Sequence, residues 1–85
     1  MQPTIVPGVA TWSRWQADRT MFFNAWFVSG EGGNFVVDPL DPDDDDLAYI
    51  DDRGLAAVVI TNRDHERAAA FFAERYNVPV IASLP

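Results

Sequence analysis

The stretch Ala57-Val58-Val59-Ile60-Thr61-Asn62-Arg63-Asp64-His65-Glu66-Arg67 decides the fold. Its β-branched run reads as a short strand covered on both faces, because no polar residue alternates with Val58, Val59 and Ile60. Ala68, Ala69, Phe72 and Tyr76 then recur at helical spacing, which predicts a helix over residues 64–76. Asp64 and His65, the chain's one histidine, therefore fall at the turn from strand to helix. That is the strand end at which α/β folds place chemistry, and an aspartate beside a histidine there can hold a metal or work as an acid/base pair. The same two residues also have an ordinary reading. Asp64, or Asn62 before it, caps the helix, while His65 packs partly against the sheet and donates one hydrogen bond.

Upstream, residues 1–8 carry two of the six prolines and read as an extended lead-in. Residues 9–16 alternate Val9, Thr11, Ser13 and Trp15 with Ala10, Trp12, Arg14 and Gln16, a half-exposed strand with Trp12 and Trp15 on opposite faces. Residues 17–20 form a turn, and the strongly apolar residues 21–28 form a second strand expected to be covered on both sides. Gly30, Gly32 and Gly33 supply positive φ for a hairpin turn of about five residues. Gly-Glu-Gly-Gly lacks the Lys-Ser/Thr ending of a phosphate loop and leads into a strand, residues 34–39.

Residues 38–46 contain six aspartates. Read as a calcium loop starting at Asp41, they place Asp46 where glycine is required and Asp52 where a bidentate glutamate is required, so the spacing fails. They read instead as a solvated helix start, with Asp43 or Asp44 as the cap and the other carboxylates at the helix's positive end. Leu47 and Ile50 give this helix, residues 44–52, one apolar stripe, and Gly54 ends it with Arg53 in its last turn. Asn77-Val78-Pro79 stops the longer helix, and Val80-Ile81-Ala82 returns as a strand parallel to residues 57–61.

Hairpin, aspartate, helix, buried strand and Asp64-His65 at the next helix start together resemble the metallo-β-lactamase fold over roughly residues 20–82. In that superfamily the buried strand ends in Thr-His-x-His-x-Asp-His. Alignment on Asp64-His65 puts Ile60 and Asn62 at the two earlier histidines; deleting two residues instead makes Asn62 the first and removes the second. Either way both histidines of the first metal site are missing. The resemblance carries Asp64 and His65 over as ligands of the second metal, and Asp38 as an aspartate near the metals. Arg63 and Arg67 oppose a dication there. With one histidine and no cysteine, zinc or another divalent metal is expected only if a longer form supplies further ligands, and the isolated chain is expected to hold no cofactor. The family's parent activity is hydrolysis by metal-activated water.

Composition bounds the remainder. Eighty-five residues suffice for one small domain, expected here to be a partial one over residues 1–85, and 48% hydrophobic content with three Trp, six Phe and two Tyr supplies a core. A net charge of −7 disfavours nucleic acid and anionic membrane surfaces as partners. No apolar run approaches the roughly 20 residues needed to span a bilayer, and the lack of cysteine agrees with a cytoplasmic location. No cysteine exists to serve as nucleophile, and Ser13, Ser29 and Ser83 lie outside any nucleophile-elbow pattern. The expected architecture is α/β: an antiparallel meander, a helix, then a parallel βαβ unit, resembling the first half of an αββα sandwich. Two functional expectations stand. One is a degenerate hydrolase-like segment that does not catalyse alone; the other is an assembly module whose aromatic sheet face is covered by a partner chain or by a second copy in a homo-oligomer.

Overall fold

Among the described residues, six strands form one mixed sheet in the order in which they occur along the chain. The structure is a computed structural model that describes residues 1–16, 21–61 and 66–82. Strands β1 (Gln2–Pro3), β2 (Val9–Gln16), β3 (Met21–Gly30) and β4 (Gly33–Val37) pair antiparallel with one another in succession. Helix α1 (Asp44–Arg53) carries the chain across to β5 (Ala57–Ile60), parallel to β4, and helix α2 (Glu66–Tyr76) carries it to β6 (Val80–Ala82), parallel to β5. The switch from antiparallel to parallel pairing follows from connection length. A tight turn reverses the chain, whereas a helix returns it in the same direction.

Both helices lie on the same face of the sheet. Phe27 on β3 meets Tyr49 of α1 edge-to-face at 5.4 Å between ring centroids, and Trp12 on β2 meets Phe72 of α2 at 5.9 Å. Trp12 and Phe27 share a face with Ala10, Ala25, Val36, Val58 and Ile60, all buried, and these close on Ile50, Ala69 and Phe72 from the helices. Burying a side chain the size of Phe27 or Phe72 contributes about 1.5–3 kcal/mol, which makes this layer the main source of cohesion. The Trp12 indole N–H donates to the Leu40 carbonyl at 3.3 Å, so the loop entering α1 is fastened to the same core.

The opposite sheet face is only partly covered. The register aligns Thr11, Trp26, Val37, Val59 and Ile81 in one row and Val9, Val28, Phe35 and Ala57 in the next. Trp26 is 37% exposed and Ile81 54%. The expectation that residues 21–28 are covered on both sides is thus corrected: Ala25 and Phe27 are buried, whereas Asn24 and Trp26 face outward. Trp12 is buried as one of the two opposed indoles; the side chain of Trp15 lies outside the described part.

Three local readings also change. The lead-in is structured: Gln2 and Pro3 pair with Thr11 and Ala10, and a turn through Gly8 at φ +80° joins them to β2. The hairpin turn is tighter than expected, with Glu31 and Gly32 between the strands, and of its glycines only Gly33 has positive φ, +133°. Asp46 is not solvated but 1% exposed. The turn expected at residues 17–20 lies outside the described residues, and α2 is described from Glu66 onward.

Candidate functional site at the sheet edge

Parallel pairing of β4 and β5 brings two strand ends together, and with them Asp38 and Thr61. Asp38 follows β4 with φ +47°, a left-handed conformation that aspartate tolerates better than most residues. Its amide donates to the Val59 carbonyl at 2.8 Å, extending the ladder by one rung. Its carboxylate then turns across the strand end and accepts two hydrogen bonds, from the Thr61 amide at 2.6 Å and from the Thr61 hydroxyl. Charge-assisted bonds of this kind are stronger than neutral ones. They hold the first residue of the loop that leads from β5 toward α2.

Asp64 and His65, the ligand pair expected from the sequence, fall within residues 62–65, as does Asn62, and lie outside the described residues. The flanking geometry nevertheless bears on a metal. Ile60, which stands where one motif histidine would be under the Asp-His alignment, is 8% exposed and belongs to the core. An apolar side chain there supplies no donor. Under either alignment the neutral amide of Asn62 takes the place of an imidazole. Asp38 already has its oxygens on Thr61. Among the described residues no group of three or more His, Cys, Asp or Glu side chains could hold a metal ion. A zinc centre needs three or four ligands, and Asp64 with His65 supplies two of them.

A second polar constellation lies beneath the helix side of the sheet. Asp43 caps α1 by accepting from the Asp46 amide at 2.8 Å, and the Asp46 carboxylate accepts in return from the Asp43 amide at 3.1 Å, a reciprocal capping box. Asp46 also accepts from the Met1 ammonium at 2.6 Å and from the Arg14 guanidinium at 2.7 Å. Burial pushes the Asp46 carboxyl up, but the hydrogen bonds from the ammonium, the Asp43 amide and Arg14 outweigh it and hold the group below its ordinary range. These residues line a half-open cavity of about 250 Å³ with Trp12 and Thr11. Every oxygen of Asp46 has a donor, so the arrangement is a fastening of the N-terminus to β2 and α1. The sequence contained one usable signal for it, the Asp43-x-x-Asp46 spacing of a capping box.

A third group sits at the surface. The Tyr76 hydroxyl donates to Asp51 at 2.7 Å, and Arg75 pairs with the same carboxylate at 2.9 Å, linking α2 to α1. Burial, followed by the bond to Asp51, raises the Tyr76 phenol, which keeps it a donor. It is a helix-to-helix tie and carries no nucleophile.

A family model described as the metallo-beta-lactamase superfamily matches residues 1–84. No curated protein matches the chain.

Proposed function

Because the chain belongs to the metallo-β-lactamase superfamily, we propose that it carries the strand-edge scaffold of that fold with a degenerate metal motif, and does not catalyse hydrolysis on its own. The observation that carries this reading is Ile60: the position adjoining Thr61 is built into the core rather than presented at the edge. Asp38 retains its place at the strand end but is engaged by Thr61. Asp64 and His65 are the surviving ligand pair of this reading. They hold zinc or another divalent cation only where further groups complete the set. Residues 1–85 act in this reading as one partial domain.

Elemental analysis of the purified, native-mass protein tests it, alongside a His65→Ala variant. The expected result is metal far below one equivalent, with folding and stability unchanged in the variant. Near-stoichiometric zinc, iron or manganese that disappears in His65→Ala would overturn the degenerate reading and restore a hydrolase as the first hypothesis.

A second reading is favoured by a different observation, the apolar sheet face opposite the helices. Trp26, Val37, Val59 and Ile81 form a row across four strands with no helix above it among the described residues. In this reading the chain is a non-catalytic assembly module whose sheet face is covered by another polypeptide.

A further inference from the structure

We infer that the outer end of the β2–β3 ribbon is a strap, latched onto the N-terminal end of α1 by Arg14, and that it opens as a unit apart from the core when the latch is released.

Register defines the strap. β4 follows β3 as far as Trp26↔Val37, after which Asp38 turns away at φ +47° and Pro39 has no amide to donate. On the other side, β1 meets β2 at Ala10 and Thr11. Four rungs therefore run on beyond the body of the sheet: Ser13↔Asn24, Arg14↔Phe23, Trp15↔Phe22 and Gln16↔Met21. At strand spacing they reach about 13 Å past the level of Asp38. The strap thus stands beside the strand ends that carry Asp38 and Thr61, and whether it is held decides whether that edge has a fixed wall. A two-stranded ribbon is marginal in water by itself, so its hold must come from elsewhere.

Among the described side chains, one rung on the helix side supplies that hold. Phe23 is partly buried and packs against the core, and Arg14 opposite it donates to the Asp46 carboxylate at 2.7 Å and lies 3.6 Å from that of Asp43. Asp46 is 1% exposed and is also bound by the Met1 ammonium and the Asp43 amide, which makes it a fixed anchor. The second terminal nitrogen of Arg14 donates to the Ser13 carbonyl at 2.7 Å. Because the Ser29 amide donates to the Gly8 carbonyl, alternation turns the Ser13 carbonyl to the outer edge of β2, where Arg14 fills the acceptor that a further strand would use. One guanidinium therefore closes the strap's open edge and ties it to α1. The Ser13 hydroxyl bond to Asn24 joins the strap's own two strands and fastens them to nothing else. The root is built differently. Its rung, Trp12↔Ala25, is buried in the core. A tip held by one charged side chain and one partly buried ring, on a root held by the core, is the arrangement in which a segment opens locally while the remainder stays folded.

The experiment is amide hydrogen exchange of the full chain under native conditions, read residue by residue by NMR, for the wild type, Arg14→Gln and Arg14→Lys. In the wild type the protected amides of the strap are expected to exchange together and faster than those of Val58 and Ile60 in β5. Arg14→Gln is expected to speed the strap about tenfold relative to β5, the loss of one charge-assisted bond. Arg14→Lys, which keeps the charge where single nitrogens meet the carboxylates, is expected to recover most of the protection. Strap amides that exchange no faster than β5 in the wild type would overturn the inference, as would a rise in Arg14→Gln shared equally by β5 or a lysine no better than glutamine. Should Arg14→Gln fail to fold, 1 M sodium chloride asks the same of the wild type, since it shortens the Debye length to about 3 Å. Salt must then speed the strap relative to β5; a strap indifferent to it is not latched by charge.

Discussion

Asp46 shows how one side chain can change meaning between sequence and structure. In a run of six aspartates it reads as one more solvated carboxylate, yet it is 1% exposed and joins Met1, Arg14 and Asp43. A buried charge is tolerable only when its hydrogen-bonding capacity is filled, and here two cationic donors and an amide fill it. Removing the charge leaves the Met1 ammonium, 2.6 Å from the carboxylate, without its anion. Asp46→Asn is accordingly expected to cost about 2–3 kcal/mol near neutrality, below the usual figure for a broken buried pair because Arg14 remains partly in water. The sign with pH follows from the depressed carboxyl. Its contribution is complete above the ordinary value of 3.8 and disappears as the pH falls through the lower folded value. Urea titrations over that acid range should show wild-type stability falling more steeply than that of Asp46→Asn. Asp38 illustrates the converse. The sequence puts it near the end of the strand predicted over residues 34–39, and its place beside Thr61 comes from the parallel pairing of β4 and β5.

At the scale of elements, the hairpin between β3 and β4 is held by a glycine with a specific duty. Gly33 sits at φ +133°, and a Cβ there would come within 2.6 Å of the Ala56 Cβ. Gly33→Ala therefore combines backbone strain with a collision against the residue preceding β5, and should cost about 1–3 kcal/mol. Gly32→Ala is the control. Gly32 has open space around its Cβ and no positive φ, so its substitution should stay within about 0.5 kcal/mol. Thermal or urea unfolding of the pair checks the contrast. The helices were legible because their signals are local: Asp43 as cap, Gly54 at φ +84° after the last turn, Asn77 at φ +53° closing α2. The strand β1 was not, because two residues carry no periodicity and their pairing with Thr11 and Ala10 exists only once β2 is in place.

For the whole molecule, cohesion depends on one apolar layer between sheet and helices, and Phe72 is its hinge between layers. It is fully buried, tilts against Trp12 and stacks on Tyr76 at 6.1 Å. Phe72→Ala is expected to cost about 3–5 kcal/mol, a large share of the 5–15 kcal/mol available to a typical domain. A fall in urea midpoint with α2 amides losing protection first is the readout. The other buried residues among those described in α2, Ala68 and Ala69, are small, so Phe72 supplies most of its buried surface. What the sequence by itself determined was the succession of elements, their caps and the mixed α/β class, since periodicity and capping act between residues a few positions apart. It also shows, as a matter of inventory, one histidine and no cysteine. Only the tertiary structure decided that both helices share one face, that Trp26 is left half in water, and that Asp46 is buried. Each of those depends on contacts between residues distant in the chain, such as Met1 and Arg14 with Asp46 or Trp12 with Phe72, and no local pattern encodes which side of a sheet a later helix will cover.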